Sequence, residues 1–141
     1  MKRITLEEII TPENVSKEYL KSLLDAAFME TSYDNEGDIW VKDRVRCFVL
    51  PNLERKDRIQ LLTLFGFEPN ASELDRLRAV NRINNEYIIV RASLTKNNLM
   101  AFTYDLPITG GLPAKTFVQA VKRFCSIPQE AIADCANDVV Q

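Results

Sequence analysis

The chain has 141 residues, with 18 Lys plus Arg against 20 Asp plus Glu, a formal charge of −2, and no histidine. The missing histidine excludes Ser-His-Asp and Cys-His catalysis, imidazole-based zinc sites and a two-His-one-carboxylate iron site. Acid–base chemistry would fall to a retuned carboxylate, lysine or cysteine.

The mix of 46% hydrophobic and 27% charged residues is that of a soluble globular domain. A chain of this size buries roughly 70% of its unfolded surface, enough for one domain without disulfides. Cys47, Cys125 and Cys135 form an odd set in apolar settings with no C-x-x-C pair, so buried, reduced thiols are expected. Met1-Lys2-Arg3-Ile4 lacks the apolar core of a signal peptide, and no run approaches the roughly 18 apolar residues of a membrane helix. The expectation is a cytoplasmic protein without a membrane partner. A pI near 5.3 argues against nucleic acid as partner.

Residues 4–10 read as a short helical turn or a docking arm, ended by Thr11-Pro12. Ser16 is a good N-cap, Val15 and Leu20 have the spacing of a hydrophobic staple, and Leu20, Leu23, Leu24 and Ala27 mark one face of a helix over about 16–29. Thr31–Tyr33 and Asp38–Lys42 predict two strands joined by the turn Asp34-Asn35-Glu36-Gly37, and Val45–Leu50 predicts a third. Residues 58–65 suit a fourth strand, although Leu61, Leu62 and Leu64 also suit a helix. Ser72-Glu73-Leu74-Asp75 opens a second helix as a capping box. Its period is Leu74, Leu77, Val80, Ile83, and Asn84-Asn85 are expected to end it. Alternation over 87–94 and 99–106, around Thr95–Asn98, predicts a strand pair. Gly110-Gly111 is a flexible turn before a helix with Phe117, Ala120, Val121, Phe124 and Cys125 on one face. Ser126–Gln129 reads as another capping box, opening a last helix with Ile132, Cys135, Ala136 and Val139 on its apolar face.

The order α-β-β-β-(β)-α-β-β-α-α, with short turns between neighbouring strands, predicts an α+β domain: an antiparallel sheet of five to six strands with helices packed on it. It spans 1–141 as one domain, with a core of about 16–126 and a helical extension over 127–141.

The candidate chemistry is sparse. Asp34-x-x-Gly37-Asp38 lacks the spacing of a calcium loop and suits a hairpin turn. Gly110-Gly111 before a helix could hold a phosphate but has no P-loop spacing. The basic clusters are interspersed with acids, as on a solvated surface. Trp40, flanked by Ile39 and Val41, leaves both faces of its strand apolar. Either helices cover both faces, or one face, with Phe48, Phe65 and Phe67 as further aromatics, meets a partner. Asn81 and Asn84 lie beside an apolar helical stripe, either bonding a neighbouring strand or loop or fraying the helix end.

The order of these pieces resembles the YbjN-domain family. They are a helix, then D-x-x-G-D-I-x-V (Asp34, Gly37, Asp38, Ile39, Val41), then V-N-x-I-N (Val80, Asn81, Ile83, Asn84), then D-L-P-I-x-G-G-L (Asp105 to Leu112) before an amphipathic helix. The resemblance covers about residues 16–126. It implies a fold similar to type III secretion chaperones, a homodimer and no catalytic residue, cofactor or metal. Asp34, Gly37, Asp38, Asn81, Asn84, Gly110 and Gly111 would be pattern residues of structural weight. Members are described as candidate sensory transduction regulators of bacteria. The expectation is a non-enzymatic domain that binds a protein partner in a chaperone-like or regulatory role. The alternatives are a dedicated secretion chaperone for one effector and a small-molecule-binding domain using Asp34, Asp38 or the Gly110-Gly111 turn.

Overall fold

A computed structural model describes residues 5–141. Ile4, part of the expected turn or arm, lies outside them. Along the chain the elements are β1 (Ile9–Ile10), α1 (Lys17–Ala26), β2 (Glu30–Tyr33), β3 (Ile39–Lys42), β4 (Arg46–Pro51) and β5 (Arg58–Gly66). Then come α2 (Glu73–Glu86), β6 (Arg91–Leu94), β7 (Leu99–Pro107), β8 (Leu112–Pro113), α3 (Ala114–Ser126) and α4 (Pro128–Cys135). A six-stranded antiparallel sheet in the order β2-β3-β4-β5-β7-β6 carries the fold, and residues 58–65 are strand. The N-terminal arm is held by β1 pairing antiparallel with β8.

Local chemistry sets most of these elements. The Ser16 hydroxyl accepts the Tyr19 N–H (3.0 Å), and Val15 and Leu20 are both buried. In the first hairpin Asp34 Oδ1 accepts the N–H groups of Glu36 (2.9 Å) and Asp38 (2.8 Å), and Gly37 takes φ +83°. That conformation costs glycine nothing. Ser72 and Asp75 form the expected reciprocal capping box.

Four expectations are corrected. The strand expected over 87–94 begins only at Arg91, because Ile89 takes φ +78° and the Val90 N–H closes a tight turn onto the Ile88 carbonyl (2.9 Å). Helix α2 runs past Asn84-Asn85 to Glu86, capped by the Tyr87 N–H on the Ile83 carbonyl. Ser126 and Gln129 make no capping box: the Ser126 hydroxyl donates to the Arg123 carbonyl (2.7 Å), and Gln129 donates to the Arg44 carbonyl (3.0 Å). Pro128, at the first position of α4, needs no N–H partner there. Finally, α4 stops at Cys135. Val139 and Val140 leave the helix, and Val140 bridges to Phe67.

One connected core lies between the sheet and the helices. It takes Ile39, Val41, Cys47, Val49, Ile59, Leu61, Ala92, Met100 and Phe102 from the strands. From the helices it takes Leu20, Leu23, Leu24, Ile83, Phe117, Val121 and Phe124. Leu74 and Leu77, which open the helical period of α2, are 55% and 45% exposed, so only the far end of that stripe (Ile83, with Ala79 beside it) is buried.

Candidate interaction surface on the open sheet face

Side chains alternate across a sheet, so the core residues fix where their neighbours point. Trp40 pairs with Phe48 and with Ser32, Phe48 with Leu62, Leu62 with Thr103 and Thr103 with Arg91. Directly paired residues share a face, so one row crosses all six strands: Ser32, Trp40, Phe48, Leu62, Thr103, Arg91. The three apolar members, Trp40, Phe48 and Leu62, neither belong to the hydrophobic core cluster nor pack against it. Leu50, Leu64 and Ala101 flank the row, and Leu64 is 41% exposed. Trp40, Phe48, Leu50 and Leu62 are half-buried, while Thr103 and Ala101 are buried. The Arg46 guanidinium lies 4.3 Å from the centre of the Trp40 ring, a cation–π contact that lids the apolar row with one positive charge.

The four aromatics singled out in the sequence therefore divide. Trp40 and Phe48 are cross-strand neighbours on the open face. Phe65 lies on the helix-covered face in an edge-to-face contact with Phe102, with centroids 5.7 Å apart. Phe67 is buried at the bridge to Val140, with the Arg76 guanidinium 5.3 Å from its ring. Leu62, Leu50 and Arg46 complete the open face. Their alternation was visible in the sequence, but which face the helices would leave bare was not.

The pattern residues hold turns and edges. The carboxylates of Asp34, Glu36 and Asp38 converge, but Asp34 is committed to two backbone N–H groups and Asp38 pairs with Lys17 (3.0 Å). Asn84 reaches from α2 to the edge strand: its Nδ2 donates to the Ala92 carbonyl (3.0 Å) and its Oδ1 accepts the Ala92 N–H (2.8 Å). Asn81 is exposed. Gly110 and Gly111 take φ +100° and +96°, and a Cβ on Gly111 would stand 3.0 Å from Ile9. The Gly111 N–H donates to the Ile108 carbonyl and the Ala114 N–H to the Glu8 carbonyl, so this turn is spent on chain reversal and on holding the arm.

All three cysteines are free and buried. The neighbouring Cys125 thiol, and then burial, push Cys47 well above the usual thiol range. Burial, and then its bond to Glu86 Oε2 (3.2 Å), push Cys135 up to about 11. Two concavities, of about 480 and 310 Å³, include none of Asp34, Asp38, Gly110 and Gly111. Among the described residues, no helix is long and apolar enough to cross a membrane.

A six-stranded sheet with helices on one side and a bare, partly apolar opposite face defines a one-sided α+β domain. The chain belongs to the YbjN family, described as "Putative bacterial sensory transduction regulator", which it matches over residues 16–136, through α4. In fold it is similar to "YbjN, a putative transcription regulator from E. coli" at 17% identity. That likeness has a TM-score of 0.72 and covers 90% of this chain and 96% of that one. An uncharacterized protein from Methanothermobacter thermautotrophicus is similar at 13% identity, with TM-score 0.58, covering 87% and 98%. The Yersinia pestis type III secretion chaperone SycH, solved in complex with a stable fragment of YscM2, is similar at 13% identity, with TM-score 0.53, covering 83% and 97%. Among curated proteins, no sequence matches the chain.

Proposed function

We propose that the chain is a non-enzymatic interaction domain, regulatory or chaperone-like, that binds a protein partner through the open sheet face. The observation that carries this reading is the row Trp40–Phe48–Leu62, registered across three adjacent strands and outside the core. An apolar patch centred on aromatics and rimmed by arginine has the composition of a binding hot spot. The family description supports a regulatory role. SycH, which shares the fold, was solved holding a fragment of another protein, so the architecture is compatible with gripping a polypeptide. A secretion chaperone dedicated to one effector is the narrower form of the same reading. The protein acts in the cytoplasm in this account, and as a homodimer: Leu74, Leu77 and Ile88, 55%, 45% and 79% exposed, offer a separate apolar surface to a second copy.

The test is affinity capture from the native host, read by mass spectrometry, with wild type beside the double variant Trp40→Ser/Phe48→Ser. A partner held by wild type and lost from the folded variant supports the reading. Equal capture by both moves the binding surface elsewhere.

A further inference from the structure

Phe28 is the most exposed large apolar residue among those described, at 98%, and it stands at φ +62°. It occupies the left-handed position just past α1. Its N–H donates to the Asp25 carbonyl (3.0 Å) and the Met29 N–H to the Leu24 carbonyl (3.1 Å), the paired bonds that end many helices. Glycine is the usual residue there, because a Cβ strains the left-handed backbone. A phenylalanine at this place carries backbone strain and hydrates its whole ring, and it gains no packing in return. Folding alone does not select it.

Its surroundings are concave and basic. Phe28, Ala27 and Lys122 line both concavities, so the two meet at Phe28 as one groove between the end of α1 and α3. Leu6, Ala27 and Val118 give the floor on the α3 side its apolar character. Lys42, Arg44, Lys115 and Lys122 rim the groove against Glu30 and Asp43, a local charge of 4 − 2 = +2 on a chain whose total is −2. Among the described residues none of these four cations forms an ion pair.

We propose that this groove, centred on the end of α1 and reaching the Glu30–Lys42 end of the open sheet face but not its Trp40–Phe48 row, is a second docking site for an acidic peptide segment of a partner protein that packs one apolar side chain on Phe28 and lays carboxylates along the Lys42–Arg44–Lys115–Lys122 rim. The charge reversal against the rest of the chain selects an anionic occupant. The concave floor of Leu6, Ala27 and Val118 favours an apolar peptide side chain over a bilayer or a nucleic-acid backbone. The site does not depend on the reading of the sheet face, and the variants below separate the two.

A random peptide library displayed on phage is selected on the immobilised full chain, and the recovered peptides are titrated by fluorescence anisotropy. The expected peptides carry Asp or Glu around a leucine or an aromatic. Their affinity falls about tenfold or more in Phe28→Gly and in Lys115→Glu/Lys122→Glu, and holds in Trp40→Ser/Phe48→Ser. Phe28→Gly is expected to melt at or above the wild-type temperature, so its loss of binding cannot be a folding defect. The proposal is overturned by no enrichment, by peptides lacking acids, or by peptides indifferent to Phe28→Gly. It is equally overturned if Phe28→Gly melts below wild type. Phosphatidylserine vesicles or single-stranded DNA binding wild type but not Phe28→Gly would overturn it in favour of a lipid or a nucleic acid. Wild-type self-association abolished by Phe28→Gly would overturn it in favour of a second copy.

Discussion

At the scale of single residues, the molecule separates groups that hold the fold from groups that burden it. Asp34 holds it: two backbone N–H groups end on one carboxylate oxygen. Asp34→Ala should cost about 1–2 kcal/mol, read as an earlier urea midpoint with an unchanged slope. Phe28 burdens it. A left-handed non-glycine residue costs roughly 1–2 kcal/mol, and glycine returns about 0.4–1 of that through its freer unfolded chain. Phe28→Gly should therefore stabilise by up to about 1.5 kcal/mol, and a lower urea midpoint would contradict the assignment. Cys135 supplies a pH dependence. Its thiol rises from 9.0 to about 11, with burial as the leading cause. A raised pKa stabilises fully below the unfolded value, and the contribution is lost as pH rises through the folded one. Thermal stability should thus decline between about pH 9 and 11, and Cys135→Ala should flatten that decline in part, since Cys47 is raised too. An identical alkaline limb in the variant would contradict this. Below that window the three thiols should resist alkylation in the native protein and react once it is unfolded.

At the scale of elements, β6 ends the sheet, and its edge is managed by a side chain. The Asn84 amide satisfies both backbone groups of Ala92, and an edge so occupied cannot pair with another chain there. Asn84→Ala should cost about 1–3 kcal/mol in denaturant and raise light scattering on storage. Full stability with no aggregation would show the bonds to be dispensable. Asn84 also shows what was legible in advance. The Asp34–Asp38 hairpin, the Ser16 cap and the Ser72–Asp75 capping box lie within a few residues and were readable, because their partners are in the same stretch of sequence. The end of α2 lies one residue beyond the expected Asn84-Asn85 stop, because Asn84 makes the bond to a neighbouring strand that was its other reading while the helix runs on to Glu86. Ile89 was misread as strand because alternation says nothing about a left-handed residue. Ser126–Gln129 has the letters of a capping box, but Gln129 finds its partner at Arg44, 85 residues away.

At the scale of the whole molecule, the apolar residues outnumber the positions the helices can cover. Alternation around Trp40 showed both faces to be apolar. It could not say which would stay bare, since that depends on α1, α3, α4 and α2 all packing on one side. The candidate site was legible as a set of aromatics, and packing reduced it: Trp40 and Phe48 stayed on the open face, while Phe65 and Phe67 went inward. The same surplus appears at Leu74, Leu77 and Ile88, where Leu77→Glu should turn the proposed dimer into a monomer by sedimentation without lowering the melting temperature. Trp40 is the single tryptophan of the chain and lies in the middle of the proposed surface. Fluorine-labelled tryptophan incorporated into this protein therefore gives one resonance that reports only on that face. Titration with the captured partner should shift that resonance and shield it from a soluble paramagnetic agent. A resonance unchanged in position and accessibility at saturating partner would contradict the claim that the open sheet face is where this protein binds.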